Sequence, residues 1–576
     1  MYDSVCCSLV RPGAGSSWPK RTFVAVLLFL LFSTACAPTR SSKELYVSPD
    51  GNDKNPGSLS APFRTIQHAV DLAEPGHTVL LRGGVYNESV EIRDKKCTPA
   101  ARITVRNYPG EKPIVRGSSS SRADAIVSIK SSTYVVVEGL TIDEVMKVTN
   151  VRGDWIAGFH VSGSSNTVKD CRVLGSPARD RSSVRVGISI DGGRGHLVQG
   201  NVVRDLHYSE TADGKDERYR GFGIHIGAGT EDATLRRNVV TRVDNDAVYI
   251  GASSATTAGE VPRSITIEQN RLGESRQEDG IMFDQAYNQD WPITGCVVRG
   301  NTIYANGENA IDLKGTDGVE ISGNTIYGNK GANDGSSNRG GGCGAIMHGA
   351  STKSVNVTIF NNVIYGNMGG IRVENGYKIY NNVIVGNNSD YTGSNSTYDD
   401  DRKPYFTGIM MKDAPAIVGG EFSGVEIKNN IIAGHRHGEI TLNGAIKGDT
   451  VIENNLFWEY RDPRTGQTYR RFVAFRDNYD WSLEGLVTEW RAYSGDRSSV
   501  VADPLFMDAD SADYRLTGKS PAVDAGSAGG APEKDKDGHG RFDDPGTSDT
   551  GSGPYTYCDI GAYEYRGAPG PQGKGR

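Results

Sequence analysis

Gly280-Ile-Met-Phe-Asp284, Ala310-Ile-Asp-Leu-Lys314 and Ala345-Ile-Met-His-Gly349 are one five-residue phrase written three times: small, apolar, variable, apolar, variable. It recurs as Gly187-Ile-Ser-Ile-Asp191, Gly223-Ile-His-Ile-Gly227, Ala247-Val-Tyr-Ile-Gly251, Gly370-Ile-Arg-Val-Glu374, Gly408-Ile-Met-Met-Lys412 and, with Glu first, Glu439-Ile-Thr-Leu-Asn443. Alternation of period two is the pattern of a strand with one apolar side. A strand this short cannot bury that side alone, and stacking many copies is the solution repeat proteins use.

Between the phrases stands a second recurrence, an Asn followed by an apolar pair, as in Asn201-Val-Val, Asn238-Val-Val, Asn324-Thr-Ile-Tyr-Gly-Asn329, Asn362-Val-Ile-Tyr-Gly-Asn367, Asn382-Val-Ile-Val-Gly-Asn387 and Asn430-Ile-Ile. Its interval runs from 20 residues (Asn362 to Asn382) to 48 (Asn382 to Asn430), so a short basic coil carries loops of varied length. These features predict an all-β parallel solenoid in which apolar residues fill the interior and Asn forms a ladder at a corner. The shortest coils are too brief for the four-stranded blades of a propeller. The 73 Gly residues fit a turn-rich chain, and a net charge of −7 without a basic block argues against nucleic acid as a partner.

Lys20-Arg21, an apolar run from Phe23 to Phe32 and Ser33-Thr34-Ala35-Cys36 have the layout of a bacterial export signal, and the run is too short to span a membrane. A Cys directly after small residues resembles a lipobox. That implies lipidation at Cys36 and a chain held at the cell envelope through its lipid, or else secreted, with no other contact to the membrane and no need of a second subunit. Residues 37–120 are expected to hold a cap and the first coils, 121–456 the β-helix, 457–498 an insertion with a helix near Leu483 to Tyr493, and 499–576 a separate C-terminal segment. Five cysteines follow the leader (Cys97, Cys171, Cys296, Cys343 and Cys558), with no metal-ligand spacing; buried thiols, or one or two disulfides, are expected.

From Glu44 the chain reads as a strand, a Gly/Asn/Pro loop, a helix started by Pro62 with Ile66, Ala69, Val70 and Ala73 on one face, and two further strands. This stretch resembles the N-terminal cap of secreted right-handed parallel β-helix proteins, many of them polysaccharide lyases of the pectate and alginate type. The resemblance extends loosely over the coils to about Asn455 and implies a right-handed β-helix. Ser520-Pro-Ala-Val-Asp-Ala-Gly526 and Asp559-Ile-Gly-Ala-Tyr-Glu564 resemble the C-terminal segment of bacterial β-helix surface proteins.

In each phrase the second and fourth residues point inward, so the third and fifth are expected to face solvent. Stacking brings Ser189, His225, Tyr249, Met282, Asp312, Met347, Arg372, Met410 and Thr441 into one column, and Asp191, Asp284, Lys314, Glu374 and Lys412 into another. The turns before the middle strands add Asp244, Asp246, Glu278, Asp279, Glu308 and Asn309. Apolar and aromatic faces mixed with charge suit a groove for sugar rings, with His225, Tyr249, Glu374 and Lys412 as substrate contacts. Oxygen ligands of this kind suit Ca²⁺. Removing the proton beside a uronate carboxylate needs a strong base and a cation on the acid group, and Lys314 is the candidate base.

The segment from Gly307 to Asn324 resembles the catalytic coil of the alginate lyase/chondroitinase B family. The resemblance implies Lys314 as base, Glu308 or Asn309 as a calcium ligand, Arg372 as the partner that protonates the leaving oxygen, and an acidic polysaccharide as substrate. Arg372 departs from that pattern, falling two coils on and two residues earlier than the family's Arg. Asp284 and Asp312, roughly 8 Å apart at Cα from strand geometry, keep open a glycoside hydrolase reading, and a non-catalytic glycan binder is a third.

Overall fold

The computed structural model describes residues 44–567 apart from 118–123, 144–156, 177–183, 208–220, 252–257, 286–289, 331–343, 349–352, 388–406, 413–420, 437, 444, 462–465, 467, 470–472 and 476–489. The expectations at Cys36 and Cys343, and for residues 483–489, lie outside the described residues.

The chain winds as a right-handed parallel β-helix whose coils each give one strand to three long parallel sheets of 14, 15 and 14 strands. One coil is Thr234–Arg236, Val239–Val243 and Val248–Gly251; the next is Thr266–Glu268, Arg271–Gly273 and Ile281–Asp284; the next is Val297–Arg299, Thr302–Tyr304 and Ile311–Lys314. The third strand of each coil lies in the 15-stranded sheet, here called the site sheet. Connections of very different length flank this sheet, which is where the irregular Asn interval arises.

The phrase forms its strand because each inward residue stacks on its counterpart one coil away. Register places Ile224, Val248, Ile281, Ile311, Ile346, Ile371, Ile409 and Ile440 in one file, all fully buried. Branched apolar residues at about 4.8 Å spacing fill that file. The small first residue answers a close approach of backbones. A methyl group on Gly280 would lie 2.5 Å from Ile303 Cγ2 and 2.6 Å from the Ala310 carbonyl oxygen.

The Asn ladder is continuous from Asn201 through Asn238, Asn270, Asn301, Asn324, Asn362, Asn382 and Asn430 to Asn455. From Asn238 onward each side-chain oxygen accepts from the backbone and side-chain N–H of the Asn one coil before, and that of Asn201 accepts from the Cys171 N–H. In the middle of the stack, Asn301 Nδ2 also donates to the Ile267 carbonyl oxygen at 2.8 Å. Every rung contributes about 1 kcal/mol per bond and spares the turn the larger cost of a buried unsatisfied donor. A second ladder runs from Asn306 through Asn329, Asn367 and Asn387 to His435.

At the N-terminal end a helix forms at Ile66–Leu72, with Ile66, Ala69 and Val70 buried. It begins four residues after Pro62, because Thr65 supplies the N-cap and the Glu88 carboxylate accepts from the Ile66 and Gln67 N–H groups. At the other end the 457–501 stretch adds rungs: Val473–Phe475 pairs with the site-sheet strand Ile440–Asn443, and Val500–Val501 pairs with Leu456–Trp458. Residues 490–494 are helical, with Trp490 buried. The C-terminal segment docks on the corner between the other two sheets, where Asn361, Asn381 and Asn429 donate to the carbonyl oxygens of Lys534, Asp559 and Ser527. Cys97, Cys171, Cys296 and Cys558 are free, buried thiols.

Candidate functional site

The outward column forms as one register row. Ser189, His225, Tyr249, Met282, Asp312 and Met347 are successive Cα partners; Ile346 opposite Ile371 places Arg372 next, followed by Met410 and Thr441. Beside it Gly251, Asp284 and Lys314 are successive partners. Lys412 ends its strand opposite Asn443, and its side chain lies outside the described residues.

Solvent exposure of this row is not what the pattern predicts. Asp312 is 3 %, Met282 6 %, Met347 7 % and Met410 2 % exposed. Side chains that leave the core on rungs about 4.8 Å apart pack against one another and take each other's faces out of water. Lys314, in the second row, keeps 28 % of its side chain accessible.

The acidic turn builds its own ladder. Asp246 Oδ1 accepts from the Asp279 N–H at 2.9 Å, and Asp279 Oδ1 accepts from the Asn309 N–H at 2.7 Å. The other oxygens, Asp279 Oδ2 and Asn309 Oδ1, are buried without a hydrogen-bond partner. Glu278, Asp279 and Glu308 bring carboxylate oxygens within 4.8 Å of one another. Lys314 Nζ lies 3.1 Å from Asp312 Oδ2, while Asp312 Oδ1 is buried without a partner.

Burial, and after it the neighbouring negative charges, push Asp246, Asp279 and Glu308 well above the ordinary carboxylate range, and burial holds Asp312 above it against the charge of Lys314. Burial works to lower the Lys314 ammonium, but Asp312, Asp279 and Glu308 outweigh it and hold the group above the ordinary lysine value. The site therefore concentrates acids around a firmly held proton. Orphaned hard oxygens beside a carboxylate trio fit an oxygen-seeking divalent cation of the calcium type.

Two expected members sit elsewhere. Asp244 turns to His207 Nδ1 (3.1 Å) and Arg276 Nε (3.4 Å), which occupy its carboxylate in an ion pair apart from the trio. Glu374 is not on the outer wall. It is 3 % exposed, accepts from the Ser354 N–H at 2.7 Å and lies 3.2 Å from Nδ1 of the inward-facing His348. Its strand, Ile371–Arg372, ends two residues earlier, so the alternation that would have carried it outward no longer applies. Burial pushes its carboxyl up to about 7.

Arg372 stays on the row. Its Nη1 donates to the His348 carbonyl oxygen at 3.3 Å, and its charge acts on Asp312 from two coils away. Asp284 accepts from the Tyr249 hydroxyl at 3.0 Å, so both carboxylates of the hydrolase reading are engaged by neighbours, Asp284 by Tyr249 and Asp312 by Lys314.

Toward the N-terminal end the row continues as an aromatic platform. His225 and Tyr249 stack at 5.4 Å between centroids and 13° between planes, and Phe222 tilts against Tyr249 at 5.1 Å. Ser189 Oγ donates to Asp191 Oδ2 at 2.7 Å, and Asp191 also lies 3.1 Å from His160 Nε2. Burial lowers the His225 imidazole pKa, and Asp191 opposes that only in part. His160, the Cα partner of Ser189, is a row member that sequence reasoning missed, and Ser128 and Glu91 continue the row beyond it. The signal for His160 was present as Gly158-Phe-His-Val-Ser162, the same phrase with Phe in place of Ile.

Comparison with known proteins places this architecture. A family described as "Pel9A-like, right handed beta helix region" matches residues 45–245, and "Right handed beta helix region" matches 222–408. The uncharacterized protein YwoF of Bacillus subtilis is 24% identical over 514 residues, covering 86% of this chain and 96% of that protein. Pectate lyase PEL9 of Emericella nidulans is 27% identical over 297 residues, covering 50% of this chain and 67% of that protein. Among solved structures, the crystal structure of pectate lyase Pel9A aligns with 16% identity and a TM-score of 0.37, over 91% of this chain and 97% of that one. The chain is related to right-handed parallel β-helix proteins of the polysaccharide lyase type.

Proposed function

We propose that this chain is an exported polysaccharide lyase that cleaves a uronate-containing polymer by β-elimination, with Lys314 as the proton acceptor and Glu278, Asp279 and Glu308 as ligands of a calcium ion. The observation that carries the reading is the juxtaposition of Lys314, on the middle of the outer wall, with a carboxylate trio whose neighbouring oxygens, Asp279 Oδ2 and Asn309 Oδ1, are buried and orphaned. When bound, the cation supplies positive charge to the substrate's acid group and offsets the carboxylates that otherwise strengthen the hold of Lys314 on its proton.

Lys314 then acts in its neutral form: Nζ takes the proton from the carbon beside the uronate carboxylate, a carbon–carbon double bond forms, and the glycosidic carbon–oxygen bond breaks. The leaving oxygen takes a proton from water. Arg372, farther along the row, donates hydrogen bonds at that end of the scissile linkage, and the His225–Tyr249 stack offers flat faces to a neighbouring sugar ring. Asp312 positions the Lys314 amine through the 3.1 Å contact. The name of the Emericella relative makes pectate the first substrate to try. Export, and lipidation at Cys36, belong to the same proposal and rest on the leader sequence alone.

The test is an ultraviolet absorbance assay of the purified chain on pectate, alginate and glycosaminoglycans, with calcium and with chelator. The new double bond of a lyase product absorbs; new reducing ends without absorbance would replace this reading with hydrolysis, and neither signal would leave a glycan binder.

A further inference from the structure

We propose that Asp524, Asp543 and Asp549 form a second divalent-cation site, of the calcium class, in the C-terminal segment, where the ion clasps the 543–551 loop onto the body of that segment. The three residues bring carboxylate oxygens within 4.8 Å of one another. Asp543 and Asp549 are exposed, but Asp524 is fully buried, and its Oδ1 has no hydrogen-bond partner. Its Oδ2 accepts only a long bond, 3.3 Å, from the Asp544 N–H.

An orphaned oxygen on a buried carboxylate is costly, and at two other buried acids of this chain arginine meets that cost. Glu268 is held by Arg236 and Arg299, and Glu564 by Arg541. Among the described residues no lysine, arginine or histidine pairs with Asp524, Asp543 or Asp549.

The loop is already shaped for the ion. The Thr550 and Gly551 N–H groups donate to the Asp524 carbonyl oxygen at 2.8 and 3.0 Å, which folds Asp549 back onto Asp524, and the Thr556 hydroxyl donates to Asp549 Oδ2 at 2.7 Å. Asp543 arrives from the start of the same loop. Calcium takes 6–8 oxygen ligands in flexible geometry, so backbone carbonyls and water can complete a three-carboxylate site. The segment docks on the corner formed by the sheets other than the site sheet, so this ion has no part in the chemistry proposed for Lys314.

Equilibrium dialysis of the full chain against labelled calcium at about 1 mM, the range of extracellular calcium modules, tests the site. The Asp543→Ala/Asp549→Ala variant, altered only at exposed positions, is expected to bind one equivalent fewer than the parent chain. Asp524→Asn, which keeps side-chain size, is expected to lose the same equivalent. Equal binding by parent and variants overturns the proposal. The difference is read independently of the wall site, whose own equivalent would be removed by Glu308→Gln and not by these changes.

Discussion

Lys314 Nζ lies 3.1 Å from Asp312 Oδ2, two residues back on the same strand, with Asp312 buried and Lys314 at the edge of water. In the absence of a cation this pair keeps the amine charged, so the group best placed to take a proton already carries one. Removing it should separate chemistry from folding. Lys314→Met is expected to reduce formation of the unsaturated product by at least about 10²-fold, the usual contribution of a positioned base, while the β-sheet circular dichroism is unchanged. Parent-level absorbance in this variant would remove Lys314 from the mechanism.

Asp279 is the hinge between ladder and trio, with one oxygen accepting from the Asn309 N–H and the other orphaned. Asp279→Asn keeps an acceptor for the ladder but removes the charge. The calcium concentration giving half-maximal rate should rise by about tenfold or more, with thermal stability in chelator unchanged or improved, since a buried carboxylate has been neutralised. An unaltered calcium dependence would exclude this residue as a ligand.

Tyr249 links the aromatic platform to the charged centre through Asp284. Tyr249→Ala should raise KM by about 2- to 10-fold, the size of a lost ring-stacking contact, with a smaller change in kcat. Tyr249→Phe keeps the ring and loses only the hydroxyl, so its KM should stay near that of the parent. Steady-state kinetics on oligosaccharides of increasing length would show the difference only once the chain is long enough to reach the platform.

Glu374, buried beside His348, titrates near 7 in the folded chain against an ordinary value of 4.5. The folded state therefore holds this proton more tightly than the unfolded state. The resulting stability is fully present below about pH 4.5 and is lost as pH rises through about 7, a change of up to about 3 kcal/mol. Denaturant unfolding of the parent and of Glu374→Gln at several pH values isolates the effect: the parent should lose stability relative to the variant across that window. Parallel curves would show that Glu374 does not carry it.

The row from Ser189 to Thr441 was legible because two facts fix it together. Period-two alternation says which side chains leave the core, and in-register stacking of identical phrases says which of them become neighbours. The Asn ladder was legible on the same ground, although Asn270, followed by Arg-Leu, lacks the apolar pair that marks the other rungs. The phrase at Gly158 was hidden by its Phe.

Where the strand stops, that logic stops with it. Glu374 has the residue type and spacing of an outer-wall carboxylate, yet Ile371–Arg372 is only two residues long and the chain turns Glu374 toward His348. Asp244 looked equivalent to Asp246, and only the positions of His207 and Arg276 separate an ion-paired acid from one facing the trio. The sequence by itself thus determined the coil, its Asn corner and the order of residues along the outward row, because those follow from local periodicity repeated in one dimension. Tertiary structure alone decided which acids remain unpaired, how far the wall is shielded from water and which charges hold the Lys314 proton, because these depend on side chains that meet across coils at distances no spacing in the chain specifies.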